Sequence, residues 1–204
     1  MGLKKIKKIY KFQSQFYDLT RWIFVWNRKK ALIKLNLKQG EKVLVVGCGT
    51  GYGFDFINKK IGIKGEIIGV DYSSHMLDKA RKKINKYKLK NIKLIQIDAV
   101  KYIPPKVDVV IYSYSITMVP EWRKSLENSI RVLKEGGRIV ITDFSEINVP
   151  ILRLLLNLRF KKYGVNNKLP LKKELDKYFN NIDYKEYFLG YNFIALAKIS
   201  NNFL

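Results

Sequence analysis

Histidine and cysteine are almost missing from this chain: one of each in 204 residues, His75 and Cys48. A single cysteine excludes an internal disulfide and fits a reducing cytosol. The shortage of imidazole and thiol argues against hydrolytic triads, and no ligand spacing suggests a metal. Long apolar runs are lacking too. None approaches the ~18 residues of a membrane span, and there is no signal-peptide pattern, so the expectation is a cytosolic protein or one attached to a membrane surface. Acids are scarce, with 17 Asp plus Glu against 40 Lys plus Arg, a formal net charge of +23. That excess favours polyanionic partners, an anionic membrane or a nucleic acid. Lysines also decorate every putative helix, so an evenly basic solvated surface would have the same composition.

What is present is organised around residues 43–71. Val43-Leu44-Val45-Val46 is an unbroken β-branched run, as expected of a parallel strand buried on both faces. It ends in Gly47-Cys48-Gly49-Thr50-Gly51-Tyr52-Gly53, followed by helix-spaced Phe54, Ile57 and Ile61. Glycines at a strand-to-helix turn let the backbone bend tightly and let a ligand lie against it. Cys48 fills a place that needs a small residue, so a nucleophilic role is not expected. The next apolar run, Ile67-Ile68-Gly69-Val70, ends on Asp71. That is near the roughly 20-residue interval at which a doubly wound fold presents a carboxylate to a ribose. A dinucleotide site favours G-x-G-x-x-G. Here the third glycine, Gly51, comes one position early, and Tyr52 holds the dinucleotide place.

With a further strand from Ile92 ending at Asp98-Ala99, residues 42–143 resemble the class I S-adenosylmethionine-dependent methyltransferases. The resemblance implies an α/β, Rossmann-like fold with a mostly parallel seven-stranded sheet and an antiparallel edge strand. It divides the chain into N-terminal amphipathic basic helices over 1–40 and a methyltransferase domain over 41–204. It implies S-adenosylmethionine as cofactor, with contacts at Tyr17, Gly47, Cys48, Gly49, Gly51, Asp71, Tyr72, Met76, Asp98, Ala99 and Ser113. Asp98 would accept from the adenine amino group. Tyr17-Asp18 resembles an element of methyltransferases acting on amines and lipid headgroups, whose tyrosine covers the methionine end of the cofactor. His75, in the first turn of a helix capped by Ser73, is not expected to be catalytic.

The fourth strand should deliver Ser113-Tyr114-Ser115-Ile116-Thr117-Met118-Val119-Pro120-Glu121-Trp122 to the reacting end. The base-gripping D/N-P-P-Y/F pattern is absent. The stretch is instead similar to N-methyltransferases that build betaine lipids and, more loosely, to bacterial phosphatidylethanolamine N-methyltransferases. Tyr17, Tyr114 and Asp143 are then the catalytic candidates, the tyrosines as hydrogen-bond partners and Asp143 to neutralise a cationic amine. Gly136-Gly137 reads as a helix stop before the fifth strand. Ile151-Leu152-Arg153-Leu154-Leu155-Leu156-Asn157-Leu158-Arg159 reads as either a core helix or a lipid-facing lid.

Residues 1–40 carry eleven basic residues against Asp18 alone. Leu3, Ile6, Ile9, Tyr10, Gln13 and Phe16 recur at helical spacing, consistent with a surface helix in the headgroup layer. Trp22, Val25, Trp26, Lys29, Leu32 and Ile33 read as the inward stripe of a second helix that closes the cofactor site. Lys4, Lys5, Lys8, Arg21, Arg153 and Arg159 are the substrate and membrane candidates. The partner classes are an anionic membrane surface with a lipid-headgroup amine as substrate, or alternatively RNA or a small-molecule amine. Each lysine near an anionic surface contributes up to about 1 kcal/mol. At half that figure the five lysines of residues 4–11 strengthen binding by about 2.5 kcal/mol. Deleting residues 1–13 should therefore abolish most binding to anionic vesicles while leaving S-adenosylmethionine binding intact. Cosedimentation and calorimetry on the two proteins check this, and unchanged sedimentation refutes it.

Overall fold

Alternate residues of each central strand enter two different apolar clusters, so every one of these strands must be covered on both sides. Val43 and Val45 pack with Val109, Ile111 and Val140 on one face. Leu44 and Val46 pack with Val110, Tyr112, Ile139 and Ile141 on the other. Period-two burial on both faces is the signature of a parallel sheet between helical layers. The structure, a computed structural model, describes residues 24–199. The expectations at Lys4, Lys5, Lys8, Tyr17 and Arg21 lie outside the described residues.

The chain runs α1 (24–34), β1 (Lys42–Val46), α2 (Phe54–Ile61), β2 (Glu66–Asp71), α3 (Ser74–Lys86), β3 (Ile92–Gln96) and β4 (Val107–Ser113). A 3-10 turn (Ile116–Met118) leads to α4 (Trp122–Arg131), β5 (Leu133–Phe144), α5 (Pro150–Lys162), α6 (Leu171–Leu175), β6 (Ile182–Tyr187) and β7 (Asn192–Lys198). The sheet order is β3-β2-β1-β4-β5-β7-β6. The first five strands are parallel, and β7 is antiparallel to both neighbours. The antiparallel strand thus lies one in from the edge, and β6 forms the edge itself. Residues of α1, α2 and α3 cover one face; those of α4 and α6 cover the other.

Two sequence expectations are corrected. Gly136-Gly137 does not end a helix, since β5 runs through it as twelve residues. Val107 pairs with Leu133 and Val109 with Arg138, so five steps along β5 match two along β4 and the surplus forms a bulge. The inward stripe of α1 is Phe24, Asn27, Ala31, Leu32 and Leu35, whereas Trp26 (42% exposed) and Ile33 (57%) face outward. That phase turns Asn27, fully buried, inward in place of its neighbour Trp26. Leu32, Leu35 and Leu37 share a core with β1 and α2, so the helix is docked on the domain.

α1 is fixed at its C-terminal end by Arg138 of β5. The guanidinium makes a two-pronged pair with Glu41 (Nη1–Oε1 2.7 Å, Nη2–Oε2 2.9 Å) and donates to the carbonyls of Leu35 (2.6 Å) and Asn36 (3.0 Å). Those carbonyls have no partner within the helix, so one planar cation satisfies a helix end and a carboxylate together. On the opposite face Tyr112, fully buried, holds α4 through Ser125 and Ser129 hydroxyls, both at 2.8 Å. Breaking the half-buried Arg138 pair should be costly. Arg138→Ala is expected to lose about 2–3 kcal/mol in urea unfolding, with Arg138→Lys restoring less than half, because a point charge cannot make four directed bonds. Equal stability of the lysine variant and the native chain would contradict this role.

Candidate active site

The C-terminal ends of β1, β2, β3 and β4 meet along one edge of the sheet, and the glycine loop leaves β1 there. Gly47 has φ +66°, and a Cβ on it would lie 2.4 Å from the Ser115 Cβ, so only glycine fits. Ser115 is itself fixed by donating to the Val46 carbonyl at 2.8 Å. Gly49, at φ +54°, faces open space with nothing within 4 Å of a Cβ position. Bare backbone beside open space is what a ligand lying on this loop requires.

Asp71 closes the loop from below. Its Oδ2 accepts from the Gly49 N–H and its Oδ1 from the Ser73 N–H, both at 2.8 Å. Burial pushes this carboxyl up from its ordinary pKa, opposed by the two N–H donors. Each oxygen keeps a second lone pair for a ribose hydroxyl. Asp98 lies two residues past Gln96, the register partner of Asp71, and accepts from the Val100 N–H at 3.0 Å. Tyr72 is exposed; Met76 and Ala99 are half-buried around the same edge. Ser73 caps α3 as expected, accepting from the Met76 N–H at 3.4 Å. Cys48 is buried, and its thiol is pushed well up by burial, which suits packing and not nucleophilic attack.

Around Ser113 and Tyr114 the structure gathers Asn27, Arg28, Tyr52 and Asn192. Arg28 of α1 donates from Nε to the Ser113 Oγ at 3.0 Å, with its guanidinium over the rings of Tyr52 (4.9 Å) and Tyr114 (5.1 Å). A delocalised cation between two ring faces is held by cation–π attraction. Tyr114, at φ +54°, occupies backbone space that bulky side chains rarely adopt. Its hydroxyl accepts from Asn27 (3.3 Å) and Asn192 (3.4 Å), and Phe24 meets its ring edge-on at 4.9 Å. Burial pushes the Tyr114 phenol well up, so it stays protonated and acts as a hydrogen-bond partner, not as a base. The signal for this group was visible: Asn27 and Arg28 interrupt the apolar stripe of α1.

Asp143 is corrected. It is fully buried, and its oxygens accept from the Thr117 hydroxyl (2.6 Å), the Thr117 N–H (3.2 Å) and the Phe144 N–H (2.8 Å). It fixes the 3-10 turn after β4 and is sealed from any incoming amine. Arg153 and Arg159 lie on α5, exposed beyond β5.

An open glycine cradle after β1 and acid-ended β2 and β3 on one edge fit S-adenosylmethionine and define a class I methyltransferase site. The chain belongs to the family described as "Methyltransferase domain", whose pattern matches residues 37–183. A demethylmenaquinone methyltransferase of Staphylococcus saprophyticus is 34% identical over 136 residues, 66% of this chain and 58% of that protein. The chain thus spans less than two thirds of that relative's length. One from Staphylococcus aureus is 29% identical over 166 residues, 78% and 68% of the two chains. Among solved structures, a SAM-dependent methyltransferase from Aquifex aeolicus superposes with TM-score 0.64 at 24% identity, covering 95% of this chain and 98% of that one. A Haemonchus contortus N-methyltransferase solved with phosphomonomethylethanolamine and S-adenosylhomocysteine gives TM-score 0.73 at 19% identity, covering 86% and 52%. At these identities the structures speak for the fold alone.

Asp143 also gives the protein a specific pH response. Burial raises its pKa from 3.8 to about 6, so the folded state binds a proton more tightly than the unfolded chain. Stability from this group is therefore full below about pH 4 and is lost as pH rises to about 6. The gap of 6 − 3.8 is about 2 pK units, or about 3 kcal/mol. The stability of the native chain relative to Asp143→Asn should fall across that window by up to this amount. A pH-independent difference in unfolding free energy would refute it.

Proposed function

We propose that this chain transfers the methyl group of S-adenosylmethionine to a lipid-borne acceptor, with a reduced quinone ring as the first reading. The observation that carries it is the charge at the reacting end. Among the described residues, Asp143 is sealed and acts on Tyr114 only through space, Asp71 and Asp98 stand at the β2 and β3 side of the edge, and the charged side chain in contact with Ser113 and the Tyr114 ring is Arg28. A cation there repels an ammonium and stabilises an oxyanion. The named activity of the Staphylococcus relatives, on demethylmenaquinone, agrees with an acceptor that ionises at a ring hydroxyl.

When bound, S-adenosylmethionine supplies an electrophilic methyl on a sulfonium. The chain's own part is binding and orientation. The bare Gly49 backbone and Asp71 hold the nucleoside side. Arg28 neutralises an acceptor oxyanion, and the protonated Tyr114, fixed by two buried amides, shapes the wall behind it. An in-line displacement depends on such positioning, and no strong base is obligatory. On a quinol ring the new bond would be carbon to carbon as the methyl's bond to sulfur breaks, the sulfur leaving as a neutral thioether and the ring hydrogen as a proton. On an amine the new bond is carbon to nitrogen, again with loss of one proton.

The second reading, the amine of a phosphatidylethanolamine or betaine-lipid headgroup, is favoured by the stretch Ser113–Trp122 and by the phosphate such a headgroup offers to Arg28. RNA is the third. Labelled methyl transfer to reduced demethylmenaquinone, to phosphatidylethanolamine and to RNA separates them. The expected result is transfer to the quinol, lowered about 10–100-fold by Arg28→Gln, as loss of a charge-assisted bond predicts. Transfer confined to phosphatidylethanolamine would put the amine reading first, and transfer confined to RNA would remove both lipid readings.

A further inference from the structure

In α5 the apolar stripe faces away from the protein. Ile151, Leu154, Leu155 and Leu158 follow the i, i+3, i+4, i+7 spacing of a core-facing helix, yet are 79%, 64%, 59% and 62% exposed. The opposite side holds the helix to the domain. Phe160 is buried against Phe144 (4.8 Å) and Tyr191 (5.9 Å), and Asn157 bonds Glu146 (3.0 Å) and Asn167 (2.8 Å). A shallow depression on the outer side is lined by Leu155, Leu158, Arg159 and Lys162. The helix follows β5, at the same edge of the sheet as the glycine loop.

We infer that α5 lies in the headgroup layer of an anionic bilayer, with its leucine stripe inserted and Arg159, Lys161 and Lys162 reaching the lipid phosphates. This rests on the lipid-acceptor reading above and names the surface from which the acceptor would enter. The occupant follows from charge. Residues 1–23 carry six basic residues against Asp18, so they share the sign of α5 and cannot neutralise it. A second copy of the chain would bring the same basic flanks together. RNA would satisfy the arginine and lysines but leave the leucines in water. A lipid surface satisfies both at once, the long basic side chains extending from the apolar stripe to the interface. Thirteen residues cover about 20 Å at 1.5 Å each, and among the described residues no helix is long and apolar enough to cross a membrane. The helix lies on the bilayer and does not traverse it.

The test uses the full-length chain with vesicles of phosphatidylglycerol and phosphatidylcholine, and with phosphatidylcholine alone. Leu154→Glu with Leu158→Glu should weaken cosedimentation with the anionic vesicles by at least about tenfold. S-adenosylmethionine binding and the melting temperature should not move, because both leucines are exposed. Lys161→Glu with Lys162→Glu should weaken binding at low salt and match the native chain at high salt. Because α5 and the basic N-terminal segment would act as two linked anchors, loss of either removes most of the avidity. Unchanged sedimentation of the leucine variant overturns the proposal. So does a native dimer that the substitutions split, which makes α5 an interface between copies. A native chain that ignores vesicles and melts lower when the leucines are replaced shows that residues 1–23 cover the stripe. Vesicle binding through α5 without methylation of any lipid leaves this surface standing and removes the acceptor reading. Methylation of a detergent-dispersed lipid by a chain whose leucine variant still binds vesicles does the reverse.

Discussion

The buried carboxylate of Asp71 is the contact on which the rest of the site depends. A glycine loop that turns between β1 and α2 has little of its own to hold it, since glycine loses more backbone freedom on ordering than any other residue. Two N–H donors on one carboxylate, Gly49 from the loop and Ser73 from the start of α3, tie three elements together. The constraint then passes along the sheet edge through further buried polar bonds. Ser115 fills the space that Gly47 leaves and bonds the Val46 carbonyl. Two residues on, Thr117 is held by Asp143, and its carbonyl accepts from the Asn166 N–H at 2.8 Å.

The glycine-loop side of the sheet edge was legible because its pattern is local. A β-branched run, glycines at the turn and an acid at the end of the following strand each follow from a few consecutive residues, and the structure places them as read. The reacting half was not legible in the same way. Arg28, Tyr52, Asn27, Tyr114 and Asn192 come from α1, the glycine loop, β4 and β7, and only the crossover β5-β7 and the path of α1 bring them together. Reading α1 by hydrophobicity set its phase wrong, since the rule that apolar residues face inward fails where a site needs a buried amide and a cation. Asp143 misled for a related reason. An acid at the C-terminal end of a parallel strand invites a functional role, and nothing in the sequence says that Thr117 and Phe144 will occupy both of its oxygens.

The Gly136-Gly137 pair shows the limit of turn chemistry as a guide. Two adjacent glycines after a helix read as a stop, but a stop and a bulge make the same local demand, a chain that can depart from regular geometry. Which of the two results depends on whether β4 offers a partner beyond the irregularity, and Val107 does so by pairing with Leu133. The consequence reaches α1. The register after the bulge sets Arg138 where it meets Glu41 and the last carbonyls of α1, so a correction at the far end of the sheet positions the helix that carries Arg28.

That chain of dependence bears on the acceptor. A methyltransferase acting on an amine gains from an acid near the nitrogen, because the lone pair must be free of its proton while the hydrogens need acceptors. This fold has an acid at the right strand end and withholds it, using Asp143 to stabilise the turn while α1 brings a guanidinium to the opposite wall. Closing the acid's oxygens to an incoming ammonium and placing a guanidinium on the opposite wall both work against an amine, and the two come from independent elements, β5 and α1. An anionic acceptor inverts both effects in its favour. The same basic character extends outward along α5, whose Leu154, Leu155 and Leu158 are exposed. Charge beside Ser113 and apolar surface on α5 both support the acceptor proposed above, an oxyanion carried on a lipid.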